Sequence, residues 1–532
     1  MMKNIFPFIL LILSANAYSS TFTAFFAPDK AGEADCNNSI SALVTSIPYS
    51  TIVDCSKNND PILNGSFQVS DEGWYSDDEI DWYYFVQTSP YWPQQGGCSG
   101  AGGLSTDYYI SLNGNDGNDG SAGSPWLTLT YAITQARSGD TINVAPGTYT
   151  EDFNLTLTEE LTIEGAGPDM TIFDGDSTQT FLFIDAHNVT LKNLRIQEYT
   201  EDGAGGDVSG GGAIEIDAGQ TGIAFENVVF KRNSSAFSST DKGGAIHIQN
   251  NTSVDFQRCT FYHNRAGTTT YQSGIKGGAI YMDGAGGTIT ISSCLFYENY
   301  SGGFGPAFNS YRSNSGINYR TITVSNCTFA DNVSYSNSTS ASAAIYIRYT
   351  NATLNNCAFA NNQKNGGESE SYAAYGYGSI KAMNYCKTTL SGTYDYGYTN
   401  NNCESGVTAG FADATNDDYT LSSGSSFIDG GSTSYYPATG DMNGGDYQTT
   451  PDVGCYEYCA SGTWDGTETS DFGTAANWTT NHPACIDITI PAGIANDPII
   501  GDVPVTIYGD LTIVSAGSLT LNSNESAAYL AV

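Results

Sequence analysis

Short runs in which every second residue is apolar recur through the middle of the chain. In residues 211–216 (GGAIEI), 243–248 (GGAIHI) and 277–282 (GGAIYM) the alternation has the period of a strand with one buried face. A second set of runs holds Cys259 with Phe261, Cys294 with Phe296, Cys327 with Phe329 and Cys357 with Phe359, each pair two apart and so on one face. Looser copies of the first phrase stand at 305–308 (GPAF), 342–345 (SAAI) and 377–380 (YGSI), giving intervals of 32, 34, 28, 37 and 35 residues. The second phrase, Phe-x-x-Asn, runs from Phe230 to Asn362 at intervals of 31, 35, 33 and 30. Fixed periods of this size describe stacked units that bury their apolar faces only against neighbours. No long helical pattern interrupts them. The expected fold class is all-β, a right-handed parallel β-helix solenoid, with equivalent residues of adjacent coils roughly 4.8 Å apart.

Parity makes the expectation specific. Ile214, Ile246 and Ile280 should form one buried ladder, and Phe230, Phe261, Phe296, Phe329 and Phe359 another. The glycine pairs permit a tight corner before the first strand, and the Asn closing the second is expected to turn left-handed and bond its own backbone. The four cysteines share one coil position, too widely spaced for disulfides, and should be reduced apolar core residues. Cys386–Cys403 and Cys455–Cys459 are the nearer disulfide candidates.

The flanks divide the chain. Residues 1–17 read as a secretory signal peptide, with Lys3, an apolar run at 5–13 and a small-residue site at 15–17. Residues 18–105 lack the repeat and form an N-terminal module whose Trp74, Trp82 and Trp92 suit either a core or sugar stacking. The solenoid is expected over 106–458, opened by a capping helix at 128–137 with Ala132, Ile133 and Ala136 on one face and Ser138-Gly139 as its stop. Residues 459–532 change character and read as a small, truncated β module.

The GGAI and FxxN phrases resemble the repeats of chlamydial polymorphic outer membrane proteins and of pectate-lyase-like β-helix surface proteins of bacteria, over about residues 108–458. The last segment resembles short modules of Bacteroidetes secreted proteins. The resemblance implies a β-helix displayed at the exterior of a bacterial outer membrane or secreted. Such scaffolds carry both adhesins and polysaccharide-cleaving enzymes.

Composition adds a boundary. The chain has 532 residues, with 18 Lys and Arg against 56 Asp and Glu, a net charge of −38. That field repels polyanions and makes nucleic acid an unsuitable partner. Past the signal peptide no apolar run is long enough to span a membrane. The partners that remain are an extracellular glycan or a surface protein.

Chemistry has several candidate seats. The residues between the buried positions of each GGAI strand, Glu215, His247, Tyr281, Asn309, Tyr346 and Lys381, should form one outward stripe. Lys242 and Lys276 precede successive glycine pairs and should be neighbours. With Asp241 or His247 they have the residue types of a polysaccharide lyase, which needs a base and a cation for the substrate's carboxylate. The segments after each Phe-x-x-Asn vary in length and are rich in Ser, Tyr, Gly and Asn, which suits adaptable binding. Residues 234–242, 265–276 and 333–341, with Tyr271 and Tyr335, and the stripe's Tyr281 and Tyr346, are therefore the candidate binding positions. Asn113, Asp116, Asn118 and Asp119 alternate with glycine in a loop that has oxygen ligands for Ca²⁺ but not EF-hand spacing; no other cofactor is indicated. The first reading is a secreted or cell-surface, adhesin-like binding protein. The second is a polysaccharide lyase or glycoside hydrolase.

Overall fold

The computed structural model describes residues 106–458 apart from short loop segments, parts of 461–500, and only strand backbones in the remaining stretches before and after. The signal peptide lies outside the described residues, as do the side chains of Trp74, Trp82 and Trp92. Among the described residues no helix is long and apolar enough to cross a membrane.

The chain divides into two compact units, 1–143 with 159–163, and 144–158 with 164–532. In the first, Ala24–Pro28 pairs parallel with Ile52–Asp54 and antiparallel with Trp82–Val86. The helix Leu129–Gln135 begins at Thr128, whose hydroxyl accepts from the Tyr131 amide at 3.0 Å. Leu129, Ala132 and Ala136 face inward, with Ile133 only half-buried.

The second unit is a right-handed parallel β-helix. Each coil contributes a strand to a nine-stranded sheet that contains the GGAI strands and usually two strands to a long sheet, and five successive coils add a two-residue strand each to a six-stranded sheet completed by an antiparallel return strand. Register passes residue for residue from coil to coil: Ile214 opposite Ile246, then Ile280, Phe308, Ile345 and Ala374. All six are fully buried, as are Phe230, Phe261, Phe296, Phe329 and Phe359. The phenylalanine rings stack at 4.7, 4.7, 5.1 and 5.0 Å, one coil per step, so both expected ladders exist. The glycine corners follow from space. A Cβ on Gly244 would lie 2.0 Å from the Gly278 carbonyl oxygen, and Gly243 holds φ at +64°.

Two expectations about side chains need correction. The left-handed residue at the second corner is the one before the Asn: Arg232, His263, Glu298 and Asp331 have φ of 53°, 55°, 50° and 54°. The Asn itself turns inward and bonds the next coil. Nδ2 of Asn233, Asn264, Asn299 and Asn332 each donates to Oδ1 of the next Asn at 3.0–3.1 Å, ending at Asn362. A buried amide has two donors and an acceptor to satisfy, and identical neighbours one coil away do so better than the local turn. The thiol column also runs further than expected. Cys259, Cys294, Cys327 and Cys357 are buried and free, and Cys386 and Cys403 continue the column instead of bridging. The Cys386 amide donates to Cys403 Sγ at 3.3 Å, as the Cys259 amide does to Cys294 Sγ. Cys455 is free and buried, and Cys459 lies outside the described residues.

Residues 407–458 close the solenoid by folding back over its outer wall. On the long sheet Leu295, Tyr297, Ala330, Ala358 and Ala360 point away from the coil interior, yet they are buried beneath Tyr419, Leu421, Phe427, Val453 and Cys455. The Tyr419 ring lies tilted against Tyr297, 4.8 Å between centres, and its hydroxyl donates to Asp331 at 3.0 Å. Beyond residue 460 the strands again pair parallel, with partners such as Ile488–Leu511, Ile499–Thr520 and Val505–Leu530 lying 23, 21 and 25 residues apart.

Candidate functional site

The outer face of the GGAI sheet gathers most of the polar and aromatic residues singled out above. Because strand neighbours alternate sides, its columns can be read from the register. The middle column is Glu215, His247, Tyr281, Asn309, Tyr346 and Tyr375. Tyr375, not Lys381, continues it, because Lys381 pairs with Ala352 in the long sheet. The YGSI phrase is therefore a false copy, and residues 374–377 are the true strand.

The stripe does point away from the coil interior, but it is not bathed in solvent. Glu215 is 6%, His247 3%, Tyr281 1%, Asn309 0% and Tyr346 8% exposed. Neighbouring side chains roof it. Phe304 stacks on Tyr346 at 5.0 Å, and Lys242 and Lys276 stand 5.3 and 5.8 Å from the Tyr281 ring centre. The accessible column lies two residues further along each strand: Asp283, Tyr311, Arg348 and Tyr377, adjacent in register. Tyr377 is 46% exposed, and the other three are partly exposed.

Three cations converge here. Lys242 Nζ pairs with Asp283 Oδ2 at 3.2 Å, and Tyr281 donates to Asp283 Oδ1 at 3.4 Å. Lys276 Nζ lies 3.8 Å from the Tyr311 ring centre. Arg348 donates to the Tyr311 hydroxyl at 3.1 Å and lies 5.1, 5.2 and 5.8 Å from the rings of Tyr311, Tyr349 and Tyr377. Lys242 and Lys276 are bridged neighbours, as their spacing predicts. Asp241, the acid paired with them in the sequence reading, lies outside the described residues, and Asp283 takes that place.

Burial and like charge shape the electrostatics. Loss of water, then the charges of Lys242 and Arg348, bring Lys276 down to about 8 against the opposing pull of Asp283. Burial raises Glu215 and Asp283, but His247, Gln249 and Lys242 around the first, and Lys242 beside the second, outweigh it and hold both carboxyls below their usual range. His247 Nδ1 stands 3.6 Å from Glu215 Oε1, beyond hydrogen-bond reach, and neither ring nitrogen has a hydrogen-bond partner among the described residues. Arg320 braces the rim from within. Fully buried, it donates to the carbonyls of Gln249, Asp283 and Gly286 at 2.7, 3.0 and 3.1 Å.

The other candidates are dispersed. Tyr271 joins this face edge-on to Phe304 at 6.2 Å, whereas Tyr335 follows the strand Val333–Ser334 of the six-stranded sheet, 6.4 Å from Tyr300. The segments at 234–242, 265–276 and 333–341 begin as wall strands, Ser234–Ser235, Arg265–Ala266 and Val333–Ser334. In the Asn113–Asp119 loop, Asp116 accepts from the Leu127 and Thr128 amides and the Thr128 hydroxyl at 2.9, 3.0 and 2.9 Å. Asn118 donates to the Pro125 carbonyl, Asp119 accepts from the Ser121 amide, and the Asn113 amide donates to the Ser111 hydroxyl. These groups fasten a turn. Among the described residues no cluster of three or more His, Cys, Asp or Glu has metal-ligand geometry. Sequence reasoning missed Tyr311, Arg348 and Tyr377; the signal was available in the residue that follows each GGAIxI strand.

The family described as "Protein of unknown function (DUF1565)" matches residues 112–302. The uncharacterized protein YwoF of Bacillus subtilis (strain 168) is 29% identical over 106 residues, 18% of this chain and 23% of that protein. The chain thus spans less than a quarter of that relative's length. Among solved structures, pectate lyase Pel9A aligns with a TM-score of 0.37 and 15% identity over 66% of this chain and 96% of its own. A rhamnogalacturonan lyase aligns at 0.34 and 14% over 58% and 91%. The GH136 lacto-N-biosidase from Eubacterium ramulus aligns at 0.34 and 10% over 78% and 68%. At these scores and identities the likenesses bear on neither substrate nor mechanism.

Proposed function

We propose that this is an extracellular glycan-binding β-helix and that the glycan lies along the outer face of the GGAI sheet. One observation carries the reading: a partly exposed shelf in which Arg348 is set among Tyr311, Tyr349 and Tyr377, with Lys276 on the Tyr311 ring. Tyrosine offers an apolar ring to the C–H face of a sugar and a hydroxyl to its oxygens, and few rotamers are lost on contact. The cations add donors fixed in place by the rings. A protein partner, the other binding possibility, would find Tyr377 as the one exposed large hydrophobic on this face among the described residues. Secretion and display at a bacterial outer membrane belong to this proposal, as the setting in which an acidic, export-type chain meets a glycan.

A glycan array followed by calorimetry tests it. Tyr377→Ala and Arg348→Ala should each weaken the bound glycan at least about tenfold, with thermal stability little changed because both side chains are partly exposed. No binding by the intact chain, or binding indifferent to both substitutions, overturns the reading.

A second reading, that the face also cleaves its glycan, is favoured by Lys276. An amine that titrates at about 8 is neutral in part near physiological pH and can take a proton. Turnover that disappears in Lys276→Ala while binding persists would establish it.

A further inference from the structure

We infer that the ligand of this face is an acidic polysaccharide, one whose sugars carry carboxylate or sulfate, held by Lys276 and Arg348 on either side of Tyr311. This deepens the glycan-binding reading and rests on it.

The argument starts from scarcity. Only 18 Lys and Arg stand against 56 Asp and Glu, so acidic partners are plentiful, and Lys192, Arg195, Arg232 and Lys387 each pair with one. Lys242 has such a partner in Asp283. Lys276 and Arg348 have no carboxylate within ion-pair distance among the described residues, and Arg348 Nε is buried without a hydrogen-bond partner. What surrounds them instead is aromatic: Tyr311 between the two, Tyr281 beside Lys276, Tyr349 and Tyr377 beside Arg348. Rings hold a cation in place without neutralising it, so its charge stays available to an arriving anion. Lys276 has also lost part of its water, which a bound anion would compensate. Lys276 and Arg348 stand two coils apart, with Tyr311 on the coil between, so an extended chain laid along the solenoid axis meets them in turn.

The net charge of −38 opposes this patch at a distance, and that opposition gives a distinctive test. At about 10 mM salt the screening length is about 30 Å and a polyanion feels the whole chain; at 150 mM it is about 8 Å and only the patch matters. Affinity for an acidic polymer should therefore rise between those conditions, then fall towards 1 M as the local contacts are screened. An ordinary basic surface gives a monotonic fall.

The probes are polygalacturonate, its carboxyl-reduced neutral form and dextran sulfate, titrated against the full chain at 10, 150 and 1,000 mM NaCl. The acidic polymers should bind best at 150 mM, and at least about tenfold more tightly than the neutral one. Lys276→Ala and Arg348→Ala should remove that preference, Lys276→Arg should keep it, and Lys231→Ala, on the long sheet, should leave it unchanged. Preference for polygalacturonate over dextran sulfate, or the reverse, assigns the anion as carboxylate or sulfate. Equal binding of acidic and neutral polymers, or tightest binding at 10 mM, overturns the inference while leaving the shelf reading intact. Failure of all three polymers to bind, with none found on the array, removes the shelf reading itself.

Discussion

Asn299→Ala tests how much of the solenoid's stability resides in its asparagine column. The side chain makes four hydrogen bonds, all between fully buried groups. Nδ2 donates to the Phe261 carbonyl at 2.8 Å and to Asn332 Oδ1 at 3.0 Å. Oδ1 accepts the Asn264 amide at 3.1 Å and Asn264 Nδ2 at 3.0 Å. Truncation leaves Asn332 Oδ1 with the Asn299 backbone amide at 3.1 Å, but two donors of Asn264 lose their partner in a site closed to water. At about 1–3 kcal/mol for each orphaned group, the loss should be about 4 kcal/mol. Denaturant unfolding followed by fluorescence measures it, with Thr321→Ala, an exposed position, as a control within about 0.5 kcal/mol. Asn299→Asp separates the mechanism from simple loss of volume. Its carboxylate would keep both acceptors but face the Phe261 carbonyl and Asn332 Oδ1 with no proton to give. Folding then favours the protonated acid, raising its pKa above the unfolded value, so the deficit should be largest at pH 7 and shrink as pH falls towards 4. An Asn299→Ala loss under about 1 kcal/mol, or an Asp variant indifferent to acid, would refute the reasoning.

Gly244→Ala should be severe, at more than about 3 kcal/mol, because its Cβ would meet the Gly278 carbonyl oxygen at 2.0 Å, whereas Gly123→Ala, with nothing within 4 Å, should be neutral in thermal unfolding. Cys259, Cys294, Cys327 and Cys357 should resist alkylation in the native state and react on unfolding; mass spectrometry finding them bridged to one another would contradict the ladder. Glu298 is held above the usual carboxylate range by burial and then by Asp417, and Asp331 by burial and then by Glu298. Acids raised by folding lose their contribution as pH rises through the folded pKa, so residues 411–421, which bring Asp417 and Tyr419 to this cluster, should be better protected from hydrogen exchange at pH 4 than at pH 7 once intrinsic rates are removed. Equal protection at both would count against it.

Parity made the interior legible. Two-residue alternation placed Ile214 and Phe230 inside, and an interval near the coil length stacked them on Ile246 and Phe261, because a one-residue slip would have put every apolar side chain in water. Parity is silent about what lies beyond the wall. Glu215, His247 and Tyr281 have the outward phase and are buried all the same, Tyr281 beside Lys242 and Lys276, which belong to the coil corners. The folded-back segment had a readable trace. Outward positions in the long sheet change from Thr260 and Tyr262 to Leu295 and Tyr297, then to Thr328 and Ala330, and to Ala358 and Ala360, as a wall does when it is to be covered. The covering residues, Phe411 to Phe427, lie too far along the chain for periodicity to connect them.

The outer faces of the two large sheets differ in a way that stacking alone does not require. On the long sheet the outward column repeats itself where solvent reaches it: Thr288 opposite Thr321, Thr290 opposite Thr323, Thr323 opposite Thr353. Like residues in register suit a pleated, half-exposed surface and give each coil the same local environment. On the GGAI sheet no two successive coils agree until the tyrosines at 346 and 375. Glutamate, histidine, tyrosine and asparagine follow one another, a histidine stays buried with neither nitrogen hydrogen-bonded among the described residues, and cations gather on tyrosines in a chain that has few to place. A repeat protein has the cheapest solution at hand in copying the neighbouring coil. Departure from it on one face, at positions where the interior columns of the same strands remain regular, places the demand outside the fold, in whatever this face must hold.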